Sequence, residues 1–131
     1  MRGLPCLLVA LAAGPVCAED PVTAEEFDAL TLGRSMTWSE FGAVYGVEQY
    51  LPGRRVRWAA VGAECTAGHW YADGPAICFK YETDSEPDCW IITRTADGFD
   101  ALYTAHPPGT PPVTIAETPD PPACPGPGIG A

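Results

Sequence analysis

The sequence predicts an all-β fold: a small antiparallel meander curling into a partial barrel, with one short N-terminal helix and a disordered proline-rich C-terminal tail. Three observations carry this reading. Apolar and polar residues alternate over short runs, most clearly from Arg54 to Val61 and from Ala76 to Glu82. Turn pairs separate the runs: Pro52-Gly53, Asp73-Gly74 and Asp97-Gly98. Trp38, Trp58, Trp70 and Trp90 fall on four different runs. Period-two alternation puts one side of each strand in a core. Asp-Gly supplies the positive φ that tight hairpins need, and large aromatic rings fill a small sheet closed on itself.

The helix comes first. Thr23 is an N-cap residue and Glu26, three positions on, completes a capping box. Val22 and Phe27 stand at the two positions of a hydrophobic staple. Glu25, Glu26 and Asp28 favour the positive end of the helix dipole, and Gly33 ends the helix. So short a helix needs a surface to dock on. Seven strands follow, at 35–39, 44–51, 54–61, 69–72, 76–82, 89–95 and 99–104. In the third, Val56, Trp58 and Ala60 share one face. In the fifth, Ile77, Phe79 and Tyr81 oppose Cys78, Lys80 and Glu82. In the sixth, Trp90 and Ile92 oppose Cys89 and Ile91. The tryptophans read as core, with a tryptophan-lined ligand mouth as the rival. From His106 onward nine of 26 residues are proline, which predicts a tail outside the sheet.

The first segment reads as an address. Arg2 precedes an apolar run from Leu4 to Ala13, Gly14-Pro15 breaks it, and Val16-Cys17-Ala18 presents residues that a signal peptidase reads. This predicts a signal peptide over 1–18 cut after Ala18, a single β-rich domain over 19–105 and a tail over 106–131. The run is too short to span a bilayer. The protein is expected in the periplasm or secreted, and the arginine-over-lysine, GC-rich composition suggests a bacterial source. A lipoprotein anchored through Cys17 fits the residues before it less well.

Loss of Arg2 leaves six basic residues against 17 acidic ones, a net charge of −11. Nucleic acids and anionic membranes need a cationic face, so neither is an expected partner. Cys65, Cys78, Cys89 and Cys124 remain in the mature chain. An even number in a small exported protein predicts two disulfides. If Trp90 packs on the core face with Ile77 or Tyr81, antiparallel pairing brings Cys78 and Cys89 together on the other face. That leaves Cys65 and Cys124 to tie down the tail.

No catalytic constellation stands out. Ser35, Ser39 and Ser85 lack a nucleophile-elbow setting, and His69 and His106 are the mature imidazoles. Glu82, Asp84, Glu86 and Asp88 crowd one turn, but their spacing misses the EF-hand pattern. No metal and no cofactor are expected. Arg54, Arg55 and Arg57 oppose the acidic body, and with Trp58 and Trp70 they form the candidate binding residues. The bland alternative pairs these arginines with Glu40 or Glu48 across strands on a neutral exterior.

The run Tyr50-Leu51-Pro52-Gly53-Arg54-Arg55-Val56-Arg57-Trp58, with Cys65-x-x-Gly68-x-Trp70-Tyr71, Ile77-Cys78-Phe79-x-Tyr81-Glu82 and Cys89-Trp90, resembles a family of small exported alphaproteobacterial proteins of unknown function. The resemblance covers about residues 22–105. It implies export and a β-rich fold and carries no catalytic residue. The expected function is a binding or interaction module, most simply a monomer, for an unidentified protein or small molecule. The alternatives are an acidic inhibitor of a cationic enzyme such as a lysozyme and, further off, a carboxylate-based hydrolase.

Overall fold

In the computed structural model, residues 20–124 are described. The predicted signal peptide and the last seven residues lie outside them. Helix α1 spans Ala24–Thr31. Eight strands follow: β1 Ser35–Glu40, β2 Ala43–Leu51, β3 Arg55–Ala60, β4 Thr66–Asp73, β5 Ala76–Tyr81, β6 Asp88–Arg94, β7 Gly98–Tyr103 and β8 Val113–Thr118. Each pairs antiparallel with its neighbours in sequence, and β8 pairs with both β7 and β1, so the sheet is a closed barrel.

The strand β8 corrects the expectation for the tail. Its prolines cluster at 107–108, 111–112 and 119–122, leaving Val113-Thr114-Ile115-Ala116-Glu117-Thr118 free of them. Within that run Val113 and Ile115 are buried and Thr114 and Glu117 are exposed. Overall proline content hid a six-residue alternating strand. It turns a partial barrel into a closed one and leaves no unpaired edge.

Helix α1 begins as its capping residues require. The Thr23 hydroxyl accepts from the Glu26 amide at 3.1 Å, and the Glu26 carboxyl accepts from the Thr23 amide at 2.9 Å. Val22 and Phe27 are both buried, and the Val22 amide donates to the Ile92 carbonyl at 2.8 Å. Phe27 is fully enclosed. Its ring meets those of Tyr50, Trp70, Phe79 and Phe99, with centroids 5.2–6.3 Å away. The helix therefore plugs one end of the barrel, where the β2–β3, β4–β5 and β6–β7 turns lie. The opposite end carries the β1–β2, β3–β4, β5–β6 and β7–β8 connections and, among the described residues, has no plug of this kind.

Both expected disulfides are present. Cys78 and Cys89 stand directly opposite each other on β5 and β6, with Cα atoms 4.0 Å apart. Cys65 and Cys124 join the β3–β4 loop to the segment after β8, 59 residues away in sequence. Such bonds form and persist in oxidising compartments. Among the described residues no helix is long and apolar enough to cross a membrane.

Two outcomes follow from this architecture. Phe27→Ala opens a cavity that four surrounding rings cannot collapse into, so it should cost about 3–5 kcal/mol in denaturant unfolding. Replacing Cys65 and Cys124 together by Ser should cost about 2–4 kcal/mol, because the bond closes a long loop. A loss near zero would mean that β8 holds the C-terminal segment without the bond.

Candidate functional site

At the unplugged end the barrel opens into a cavity of about 260 Å³. Strand alternation supplies its walls. Trp38 comes from β1, Glu48 from β2, Trp58 from β3, Phe79 and Tyr81 from β5, and Asp88 and Trp90 from β6. Thr66, Thr83 and Asp84 stand at its mouth. Tyr45 joins them through a bulge: Trp38 pairs with Gly46 and Ser39 with Val44, leaving Tyr45 as the extra residue. The rings form a chain of edge contacts. Trp38 meets Trp58 at 6.3 Å and Trp90 at 5.1 Å, and Tyr45 meets Trp58 at 5.8 Å.

Gly46 makes this arrangement possible. A Cβ at that position would overlap the six-membered ring of the Trp58 indole. The missing side chain lets Trp58 lie across β2 toward Trp38.

Glu48 is the chemical centre of the cavity. It is 1% exposed, on the inner face of β2 among aromatic rings. Both carboxyl oxygens accept from one donor, the Tyr81 hydroxyl, at 2.8 and 2.9 Å. Burial pushes the carboxyl up to about 8. The Tyr81 hydrogen bond pulls the other way, and the charge of Asp88 adds a smaller upward push. A buried carboxyl in an apolar setting holds its proton because the anion has lost its water. The Tyr81 and Tyr50 hydroxyls are raised mainly by burial and then by the Glu48 charge. Tyr45 is raised by burial and then by Glu40, Glu48 and Asp88. The Trp38 Nε1 and Tyr50 hydroxyl make no hydrogen bond of good geometry, although the indole lies close enough to favour the phenolate.

The tryptophans divide between the two sequence readings. Trp70 is core, at the plugged end under Phe27. Trp38, Trp58 and Trp90 line the cavity. The structure does not gather the candidate binding residues into one place. The Arg54 guanidinium lies 4.6 Å from the Trp70 ring centroid, beside the plug. Arg55 lies on the outer face of β3 and donates to the Pro52 carbonyl at 3.1 Å. Arg57 is on that same outer face, whereas Trp58 points inward. Glu48, considered as an exterior partner for these arginines, sits inside the barrel instead. An outer groove of about 410 Å³ runs along Arg55, Arg57, His69 and Lys80. A wider one of about 820 Å³ lies under the segment 118–124.

Glu48 was legible in one respect. In Gly46-Val47-Glu48-Gln49-Tyr50 it shares the phase of Tyr50, an aromatic residue that belongs inside. A carboxyl at an inward position is the signal. Tyr45 left none, because a bulge cannot be read from alternation.

The pH dependence of stability tests the Glu48 environment. Its folded value lies above the ordinary 4.5, so the folded state binds the extra proton between about 4.5 and 8. Stability from this group is complete below the lower value and is lost as pH rises through the upper one. Glu48→Gln should remove that fall. Wild type and variant should melt close together near pH 5, and the variant should melt later at pH 8.5. Parallel melting curves across the range would show an ordinary carboxyl.

No family model, no curated protein and no solved structure matches this chain.

Proposed function

We propose that this protein is an exported binding module that admits a compact ligand through the unplugged end of its barrel. One observation carries the reading: a cavity walled by Trp38, Trp58, Trp90, Tyr45 and Tyr81 around a buried carboxyl. A fold optimised only for stability would fill that end with apolar side chains, as α1 fills the other with Phe27. A buried acid in its place costs free energy, and groups perturbed in this way cluster at functional sites. Ligand pockets combine apolar and aromatic walls with a few placed polar groups. At about 260 Å³ this one lies just below their usual range of roughly 300–1,000 Å³, which favours a small ligand. The signal-like N-terminus and the two disulfides support a periplasmic or secreted location.

A second reading rests on the rim. Phe41 is 81% exposed and holds a left-handed φ of 51° in the β1–β2 turn. Such backbone is costly for an aromatic residue. Exposed Val44 and Val61 lie at the same end of the barrel. An apolar rim around an acidic mouth suits contact with a basic protein, as an inhibitor of a cationic enzyme would make.

Native mass spectrometry of protein purified from the periplasm separates these readings. The chain should begin at Glu19 and carry a small noncovalent adduct. Thr66→Trp, which fills the mouth, should carry none while melting as wild type does. An unoccupied chain that captures a basic protein, with capture lost in Phe41→Asp, favours the second reading.

A further inference from the structure

We propose that the cavity at the unplugged end binds an organic ammonium ion, held by the Glu48 carboxyl and the faces of Trp38, Trp58 and Trp90. The proposal rests on the ligand-binding reading above and specifies its chemistry. Three independent features converge on a cation. The first is the wall. Tryptophan offers the strongest π-face to a cation, and clusters of aromatic rings are the usual receptors for alkylated ammonium groups. Three indoles and two phenols border one small volume.

The second feature is the floor. Both Glu48 oxygens share a single hydroxyl donor, so the carboxyl has spare acceptor capacity facing a space that Glu48 itself lines. A bare metal ion would require several oxygen ligands. Among the described residues no group of three His, Cys, Asp or Glu side chains is placed to hold one. Indoles beside a carboxyl suit a weakly hydrated organic cation instead.

The third feature is the distribution of charge along the barrel axis. Glu40, Glu64, Glu82, Asp84, Glu86 and Asp88 all lie in or beside the connections of the open end. The plugged end also carries acids, Glu25, Glu26, Asp28, Asp73, Asp97 and Glu117, but Arg34, Arg54, Arg55 and Arg94 lie there too and partly offset them, and Arg57 is on the outer face. Lys80 is near the open end, but its ammonium donates to the Tyr81 and Asp84 carbonyls. Carboxyls around a low-dielectric opening concentrate cations there and repel anions.

Entry of the cation has a defined proton balance. Below about pH 8 Glu48 carries a proton, which passes to solvent as the ammonium group takes its place. The other titratable groups that face Glu48 or line its cavity are Tyr50 and Tyr45 from β2, Tyr81 from β5, Asp84 from the β5–β6 connection and Asp88 from β6. Burial keeps those three tyrosines neutral through this range. Trp38 of β1 and Trp58 of β3 do not titrate. Affinity should therefore rise about tenfold per pH unit up to about 8 and then level.

The test is calorimetric titration of the mature chain at pH 8.5 with choline, with its neutral isostere 3,3-dimethylbutan-1-ol and with the peptide Gly-Gly-Lys-Gly-Gly. Choline should bind at least about tenfold more tightly than the isostere, and its affinity should drop about tenfold between pH 7.5 and pH 6.5. Glu48→Gln should remove the preference for charge while leaving the weak binding of the isostere. Trp58→Leu should weaken choline more than isostere, and it serves should the first variant fail to fold. Tighter binding of the peptide than of choline would also support the proposal and would assign the ammonium group to a protein side chain. Equal binding of choline and isostere would overturn the cation while leaving the ligand pocket standing. Binding of none of the three would overturn the ammonium proposal, and the adduct seen by native mass spectrometry would then decide the pocket on its own.

Discussion

Everything in this molecule depends on the pairing of β8 with β1. Until that ladder forms, the meander has two open edges and no defined interior. Once it forms, each strand has one face toward an enclosed axis and one toward water. The ladder runs from Ser35 opposite Thr118 to Ser39 opposite Thr114. Closure fixes Met36 and Trp38 of β1, with Val113 and Ile115 of β8, as interior residues. It also makes Glu48 an interior residue, since that carboxyl shares its strand face with Tyr50. The Cys65–Cys124 bond ties the segment that follows β8 to the β3–β4 connection.

The two ends of the barrel are solved differently. At one end α1 inserts Phe27 among four rings, and dispersion with edge-to-face ring contact leaves no room for anything else. Arg54 covers Trp70 beside that plug, so at least one of the arginines that oppose the acidic body braces the scaffold. At the other end the same kinds of ring surround a carboxyl and a space. Aromatic residues thus serve as filler and as wall in a single small core, and only position separates the roles.

Glu48 links packing to chemistry. Its burial raises the cost of its own charge, and the Tyr81 hydroxyl alone offsets that cost incompletely. The strand that carries it departs from regular geometry beside it. Gly46 makes room for Trp58 and the bulge turns Tyr45 toward the mouth, two adjacent residues just before Glu48 on β2. The acidic connections at that end extend the field of the cavity outward, so the site is more than one residue deep.

The sequence by itself determined the features that arise from short-range physics. The capping box, the staple residues Val22 and Phe27, seven strands and their turns are all visible in local spacing. The partnership of Cys78 with Cys89 followed from alternation on two adjacent strands. Tertiary structure decided what depends on closure. Val113 to Thr118 reads as part of a proline-rich tail until β1 and β7 offer it two edges to pair with. Trp58 and Trp70 look equivalent in sequence, each an inward aromatic on its strand. The helix reaches the end that holds Trp70 and leaves the end that holds Trp58 open. Glu48 looks like one more acid in an acidic chain until a closed barrel takes it out of water. Burial is a property of the whole enclosure, and no spacing of residues along one strand contains it.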